Sequence, residues 1–500
     1  MTAPPGYARG EPGTTAPASV VVVTQLHDLT ALEQAAAVRR GEVSPTELVD
    51  HALRRIEAHD AGLGAFVTVT PERALDAAAA AERRLRDGGE QPPLLGVPTA
   101  IKDLNSTAGV RTTFGSRVTA DHVPEVDDGV VTRLAAAGTI SLGKTNTPEF
   151  GYPCYTDNDL VGPARCPWDP SLLAGGSSGG AAVAVAAGFV PFAQGSDGGG
   201  SIRIPASVNG LVGIKPARGR ISSAPLGGDV TGLGTSGPLA RTVRDAAAML
   251  DAMAGPELGD FAWAPPLPPG ETFLAAADRA PGRLRVARFT ESVMPGAELQ
   301  PEVVAALDEA ADLLADLGHT VEEAPPGLLG PEVLAAFERV WSLSGAMLPV
   351  PEDRVGELRP ITRELRSRGL AMSAREAVEG LTALRLFTRR FLQATAGFDV
   401  LLAPVTTMTP RPIGWFTDGA DGAEDFERNK LYAAFTALYN VTGQPAVSVP
   451  LHWTPGGLPI GSMLVGRPAD EQMLISLSAQ LEAARPWAHR HPPVWGSAAG

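Results

Sequence analysis

Apolar residues recur at helical spacing behind capping signals in three stretches near the N-terminus. In "LTALEQAAAVRRGE" Thr30 and Glu33 form a capping-box pair, and Gly41 follows the last periodic residue. Such a pair satisfies first-turn amides reciprocally, and glycine takes the left-handed turn that ends a helix. "SPTELVDHALRRIEAHD" repeats the device, with Ser44 as cap, Pro45 at the first helical position and Glu47 reaching back. "PERALDAAAAAERRLRDGG" reads as a third helix. Residues 28–88 are therefore predicted to be a helical N-terminal layer.

The pattern then changes. "LLGVPTAIKDL" (94–104) reads as a strand entering a loop. "GVVTRLAAAGTISLGKT" reads as a helix, a turn at Gly138 and a strand. The helix "AAVAVAAG", the strand "FVPFAQGSD", the strand "LVGIKP" and the helix "TVRDAAAMLDAMAG" continue the alternation. Residues 255–282 are rich in proline and predict a surface excursion. "GRLRVARFT" reads as a strand; "PEVVAALDEAADLLADLGHTVEEA" reads as a helix and a strand. Residues 327–397 are mostly helical, broken at Pro349, Pro351 and Pro360. "FDVLLAPVT" reads as a strand, "QPAVSVPLHW" and "LPIGSMLVG" as a pair of strands, and "ADEQMLISLSAQLEAA" as a last helix. Alternating strands and helices predict an α/β fold, a mixed central sheet between helices. Inserted helices on such a scaffold commonly shape substrate choice, so a helical cover is expected over about 300–400. The expected organisation is one domain over 25–500, with a catalytic core at about 92–250 and C-terminal strands and helix at 398–490. Residues 1–24, rich in Pro, Gly, Thr and Ala, read as a flexible leader.

Composition narrows the function. The 500 residues carry a formal charge of −15 and 44% hydrophobic residues. That supports a sizeable core and argues against nucleic acid or an anionic membrane surface as partner, since either needs a basic face. No apolar run reaches the roughly 18 residues that span a bilayer. The N-terminus lacks the apolar core of a signal peptide, which predicts a cytoplasmic location. Cys154 and Cys166 read as two reduced thiols, with a disulfide between them as the alternative. No Cys/His cluster suggests a metal, and His489 and His491 read as a solvated tail.

The chemistry concentrates in "GGSSGGAAVAVAAGFVPFAQGSDGGGS" (175–201), where two Gly-Ser clusters flank an apolar segment. Gly175–Gly179 satisfies G-x-S-x-G, but the lead-in "RCPWDPSLLA" is not the strand a nucleophile elbow needs. A phosphate-binding glycine loop lacks its lysine or acidic partner here. Glycines that merely turn the chain are the default for one isolated cluster. Two clusters and a lysine suggest more. Successive glycines let several amides converge on one point, as an oxyanion hole requires. Ser201 closes the second run and is the candidate nucleophile, with the amides of Gly198, Gly199, Gly200 and Ser201 as the hole. A serine needs a base, and no histidine is near. Lys102 ends an apolar strand-like run; burial favours the neutral amine, and Ser177 can pass a proton between Ser201 and Lys102. The alternative is a surface lysine paired with Asp103.

"GVPTAIKD", "GKTNTPEFG", "GGSSGGAAVAVAAG", "GSDGGGSIRIPASVNGLVGIKP" and "TGQPAVSVPLHWTPGGLPIGSMLVGRPADE" together resemble the amidase signature family, in order, over roughly residues 26–490. The resemblance implies a serine hydrolase with a Ser–Ser–Lys triad: Ser201 as nucleophile, Ser177 on a cis peptide and Lys102 as base. It implies that Ser178, Asp197 and Arg203 buttress the loop by hydrogen bonds. Where the family usually has Thr or Ala this chain has Gly198, so the loop is expected to be more permissive, or the vacated space to admit a bulkier substrate. The late motifs look like bacterial stand-alone amidases, including types that open nylon oligomers or split urethanes. Ile204 replaces the Gln usual in the glutaminase subunit of tRNA-dependent amidotransferases, which is the alternative reading; a catalytically dead binding module is a third. Expected substrates are small amides or anilides, with carbamates or esters as further candidates, handled by a monomer or homodimer without cofactor or metal. Gly151, Tyr152 and Trp341 are candidate substrate contacts, with Phe150 beside them.

Overall fold

The computed structural model describes residues 1, 2 and 25–496. The leader expected over 1–24 lies almost entirely outside the described residues. Among the described residues eleven strands form two sheets: β1 (Phe66–Val69), β2 (Pro98–Lys102), β3 (Ile140–Thr145), β4 (Phe192–Asp197), β5 (Val212–Lys215), β6 (Thr235–Ala240), β7 (Arg285–Arg288), β8 (Thr320–Glu323), β9 (Val400–Pro404), β10 (Ala446–Trp453) and β11 (Pro459–Gly466). The larger sheet is mixed and runs β4-β6-β5-β10-β11-β9-β7-β8; the smaller runs β1-β3-β2. The predicted pair β10–β11 is antiparallel, with Val447 opposite Leu464.

Side chains alternate across a strand, and the core is divided accordingly. Val400 and Leu402 of β9 join one apolar cluster, with Leu464 of β11 and the helices Val243–Met253, Pro301–Asp316 and Glu471–Ala484. Leu401 and Ala403, with Met463 and Val465, face the opposite side. There they meet side chains of the helices Pro331–Ala346, Ala374–Ala394 and Gly422–Tyr432. The cover is thus shifted from its expected bounds. The Pro301–Asp316 helix packs beneath the sheet, whereas Gly422–Tyr432, beyond residue 400, belongs to the cover.

Three local readings also change. The N-terminal layer is interrupted by β1, four residues too short to show a period. The strand β6 contains Pro238, which lacks the ladder donor and hides the strand in a sequence reading. The Pro-rich 255–282 stretch includes a one-turn helix, Phe273–Ala276, that buries Phe273 in the core. Among the described residues no helix is long and apolar enough to cross a membrane.

Candidate active site

Lys102 is the last residue of β2, a strand buried along its whole length. β2 pairs with β3 on one side. On the other it is pinned to β4: Thr99 Oγ1 donates to the Phe192 carbonyl at 3.2 Å, and the Lys102 amide donates to Gln194 Oε1 at 2.9 Å. The lysine side chain is consequently 0% exposed. It does not pair with its neighbour Asp103. That carboxylate accepts from Thr113 and lies 3.6 Å from Lys144 instead. Lys102 Nζ lies 2.8 Å from Ser177 Oγ, 3.1 Å from Ser196 Oγ and 3.3 Å from the Ser196 carbonyl. Burial pushes the amine down to about 7, against the opposing pull of the Asp197 charge.

Ser177 follows a cis peptide bond from Gly176. Ser178 N–H donates to the Ser201 carbonyl at 3.2 Å, tying the two Gly-Ser clusters together. The Ser178 hydroxyl donates to the Ser196 carbonyl and accepts from the Ser196 amide. No hydrogen bond joins the Ser177 and Ser201 hydroxyls directly. Ser201 itself is 7% exposed and opens onto a cavity.

Asp197 organises the glycine loop. Its carboxylate accepts from the amides of Gly200 (2.7 Å) and Ile202 (3.1 Å) and from Arg203 Nε (3.0 Å) and Nη2 (2.9 Å). Burial alone would discourage ionisation, but the Arg203 charge and its bonds outweigh that and hold the carboxyl well below the usual range. Arg203 continues to the Thr436 carbonyl and Asn440 Oδ1. Thr436 Oγ1 donates back to the Gly199 carbonyl at 2.6 Å. Sequence reasoning missed Ser196, Thr436 and Asn440. The last two lie on a segment so remote in sequence that no local spacing points to them.

These bonds distinguish the loop amides. Gly200 N–H is already donated to Asp197, so it is not a free donor. The amides of Gly198, Gly199 and Ser201 have no partner among the described residues. Gly200 itself, at φ +134°, crosses a backbone region that other residues rarely enter.

A cavity opens beside Ser201. Its wall is mainly apolar, including Ile204, Val333, Leu334, Phe337, Ala437 and Leu438. Tyr152, Pro153, Cys154 and Trp341 also line it. Gly151 is not on the wall. It lets its loop approach Ser177, since a Cβ there would lie 3.3 Å from Ser177 Oγ and 2.5 Å from Leu104 Cδ1. Phe150 points elsewhere, stacked on Phe114 in a separate apolar cluster with Val118 and Leu358. Cys154 and Cys166 are buried free thiols, not a disulfide.

Two serines, a buried lysine and a run of glycine amides thus meet beside one apolar cavity. The chain belongs to the amidase family, whose sequence pattern matches residues 47–475, and it is an amide-hydrolysing enzyme. It is 40% identical over 473 residues to AmiB2 of Mycobacterium tuberculosis, covering 93% of this chain and 98% of the relative. It is 36% identical over 492 residues to the 6-aminohexanoate-cyclic-dimer hydrolase of Paenarthrobacter ureafaciens, covering 93% and 96%. A solved 6-aminohexanoate cyclic dimer hydrolase with its substrate superposes with a TM-score of 0.87 at 33% identity, over 94% of this chain and all of that one. A bacterial aryl acylamidase superposes at 0.84 and 28% identity, over 95% and 99%.

Proposed function

We propose that the enzyme cleaves amide C–N bonds through an acyl-enzyme on Ser201, with Ser177 and Lys102 as the proton relay. Ser201 Oγ attacks the carbonyl carbon; its proton passes to Ser177, and the Ser177 proton passes to Lys102 Nζ. The tetrahedral oxyanion accepts from the amides of Gly198, Gly199 and Ser201, while the Gly200 amide holds the loop in shape through Asp197. Collapse breaks the C–N bond, and the proton returns through Ser177 to the leaving nitrogen. Water then repeats the sequence and releases the acid. Ser178, Asp197 and Arg203 position the loop and do not react.

The observation that carries this reading is the buried lysine at 2.8 Å from Ser177. Burial lowers its pKa to about 7, which makes the neutral amine available at neutral pH; an unperturbed lysine near 10.4 is neutral less than ~0.1% of the time. Anilides are the expected laboratory substrates, with carbamates and esters as candidates for the same attack. Ile204 on an apolar cavity wall speaks against the glutaminase-subunit reading.

The test is a panel of chromogenic anilides, esters and carbamates with Ser201→Ala and Lys102→Ala. Both variants are expected to lose at least ~10³-fold in turnover at pH 7 with the fold intact. Retained turnover in Lys102→Ala at neutral pH would remove the lysine from the base role.

A further inference from the structure

The space beside Gly198 is not vacant. A Cβ built on that glycine would stand 3.3 Å from two atoms of the Trp341 indole, Cη2 and Cζ3. The same ring edge lies 3.9 Å from a Cβ built on Gly199. Trp341 therefore crowds the space that a side chain at 198 would enter. Its position is held from both sides. Phe337, one helical turn earlier, stacks on it at 5.5 Å between ring centroids, and Tyr152 meets it edge-on at 5.7 Å. All three rings line the cavity into which Ser201 opens. The wall's nearest cation, Lys430, is occupied: it is paired with Glu338 and Glu427 and lies 5.1 Å over the Phe426 ring.

We propose that Trp341, seated on the bare backbone of Gly198 and clamped by Phe337 and Tyr152, determines which acyl groups the enzyme accepts: uncharged apolar ones, of a length set by the indole. The proposal rests on Ser201 as the acylated residue and adds the nature of the acyl group. Glycine at 198 is the complement of the tryptophan. A Cβ at 198 already meets the indole more tightly than ordinary contact, so a threonine there is expected to shift the ring towards its open side, the cavity. The missing side chain thus admits a residue of the enzyme, not a bulkier substrate. Among the described residues the wall offers no unpaired positive charge to a carboxylate at the far end of the acyl chain, and burying an unpaired carboxylate among these rings is costly.

The experiment measures kcat/KM for linear acyl p-nitroanilides from acetyl to decanoyl, and for a carboxylate-ended adipoyl anilide, with wild type, Trp341→Ala, Gly198→Thr and the double variant. Wild type is expected to favour hexanoyl over adipoyl by at least ~10-fold. Trp341→Ala is expected to raise the decanoyl-to-acetyl ratio by about 10-fold or more. Gly198→Thr is expected to lower the hexanoyl-to-acetyl ratio by a similar factor, and the double variant to restore it. Trp341→Leu replaces the alanine variant if the latter does not fold. Ratios within about two-fold of wild type in both single variants, or a preference for adipoyl, would overturn the proposal. Turnover that survives in Ser201→Ala would instead overturn the catalytic reading. If no anilide is turned over, calorimetric binding of the matching primary amides to Ser201→Ala, with and without Trp341→Ala, decides the same question: a chain-length preference that shifts supports the wedge, and one that does not defeats it.

Discussion

Lys102 shows how burial changes what one side chain can do. An ammonium in water is a poor base because it is almost always protonated; removing it from water makes the neutral amine available. The surrounding bonds to Ser177 and Ser196 then aim that amine at a hydroxyl. A rate dependence follows with a definite sign. In the proposed relay the neutral form is the active one, so kcat/KM is expected to rise with pH through an apparent pKa of about 7 and to level above it. A pH–rate profile on an anilide checks this, and a limb that falls across pH 6–8 contradicts it. Lys102 was a legible candidate because it ends an apolar run. Its freedom from Asp103 was not legible, because Lys144 and Thr113 claim that carboxylate from other parts of the chain. Gly198 likewise read as missing bulk until Trp341 came into view.

Among the elements, those with local signals were read well. The capping boxes at Thr30 and Ser44 form as the spacing predicts, with Ser44 Oγ accepting from the Glu47 amide at 3.1 Å and Glu47 accepting from the Ser44 amide at 2.8 Å. Ser44→Ala is expected to cost about 0.5–2 kcal/mol locally. Its signature is faster hydrogen exchange at the first-turn amides of the Pro45–His59 helix, with activity retained; unchanged exchange there denies the cap its role. The paired strands β10 and β11 were equally plain, being apolar, of similar length and separated by a Gly-Gly turn. What failed were elements whose local signal contradicts their place. β6 carries a proline yet pairs with both β4 and β5. The Pro301–Asp316 helix looks like its neighbours in the cover, and only the sheet face it meets separates it from them.

For the molecule as a whole, burying the lysine has a cost that pH can reveal. Below about pH 7 the folded and unfolded chains both protonate Lys102, and the folded form bears the full penalty of a desolvated ammonium. Between about 7 and about 10.4 only the unfolded chain binds that proton, so this group's contribution to stability rises with pH. Above that range both forms are neutral and the penalty is gone. Lys102→Met is therefore expected to gain stability relative to wild type at pH 6, with the difference shrinking towards pH 10. Thermal unfolding at several pH values reads it; a difference that grows with pH refutes it. By itself the sequence determined the periodic elements and the order of the glycine, serine and lysine motifs that carry the family resemblance, because such patterns are written in neighbouring residues. Only the tertiary structure decided which lysine is dry, which glycine amides are already committed, and that an indole fills the place beside Gly198. Solvent exclusion, hydrogen-bond commitment and occupied volume each depend on atoms delivered from distant parts of the chain.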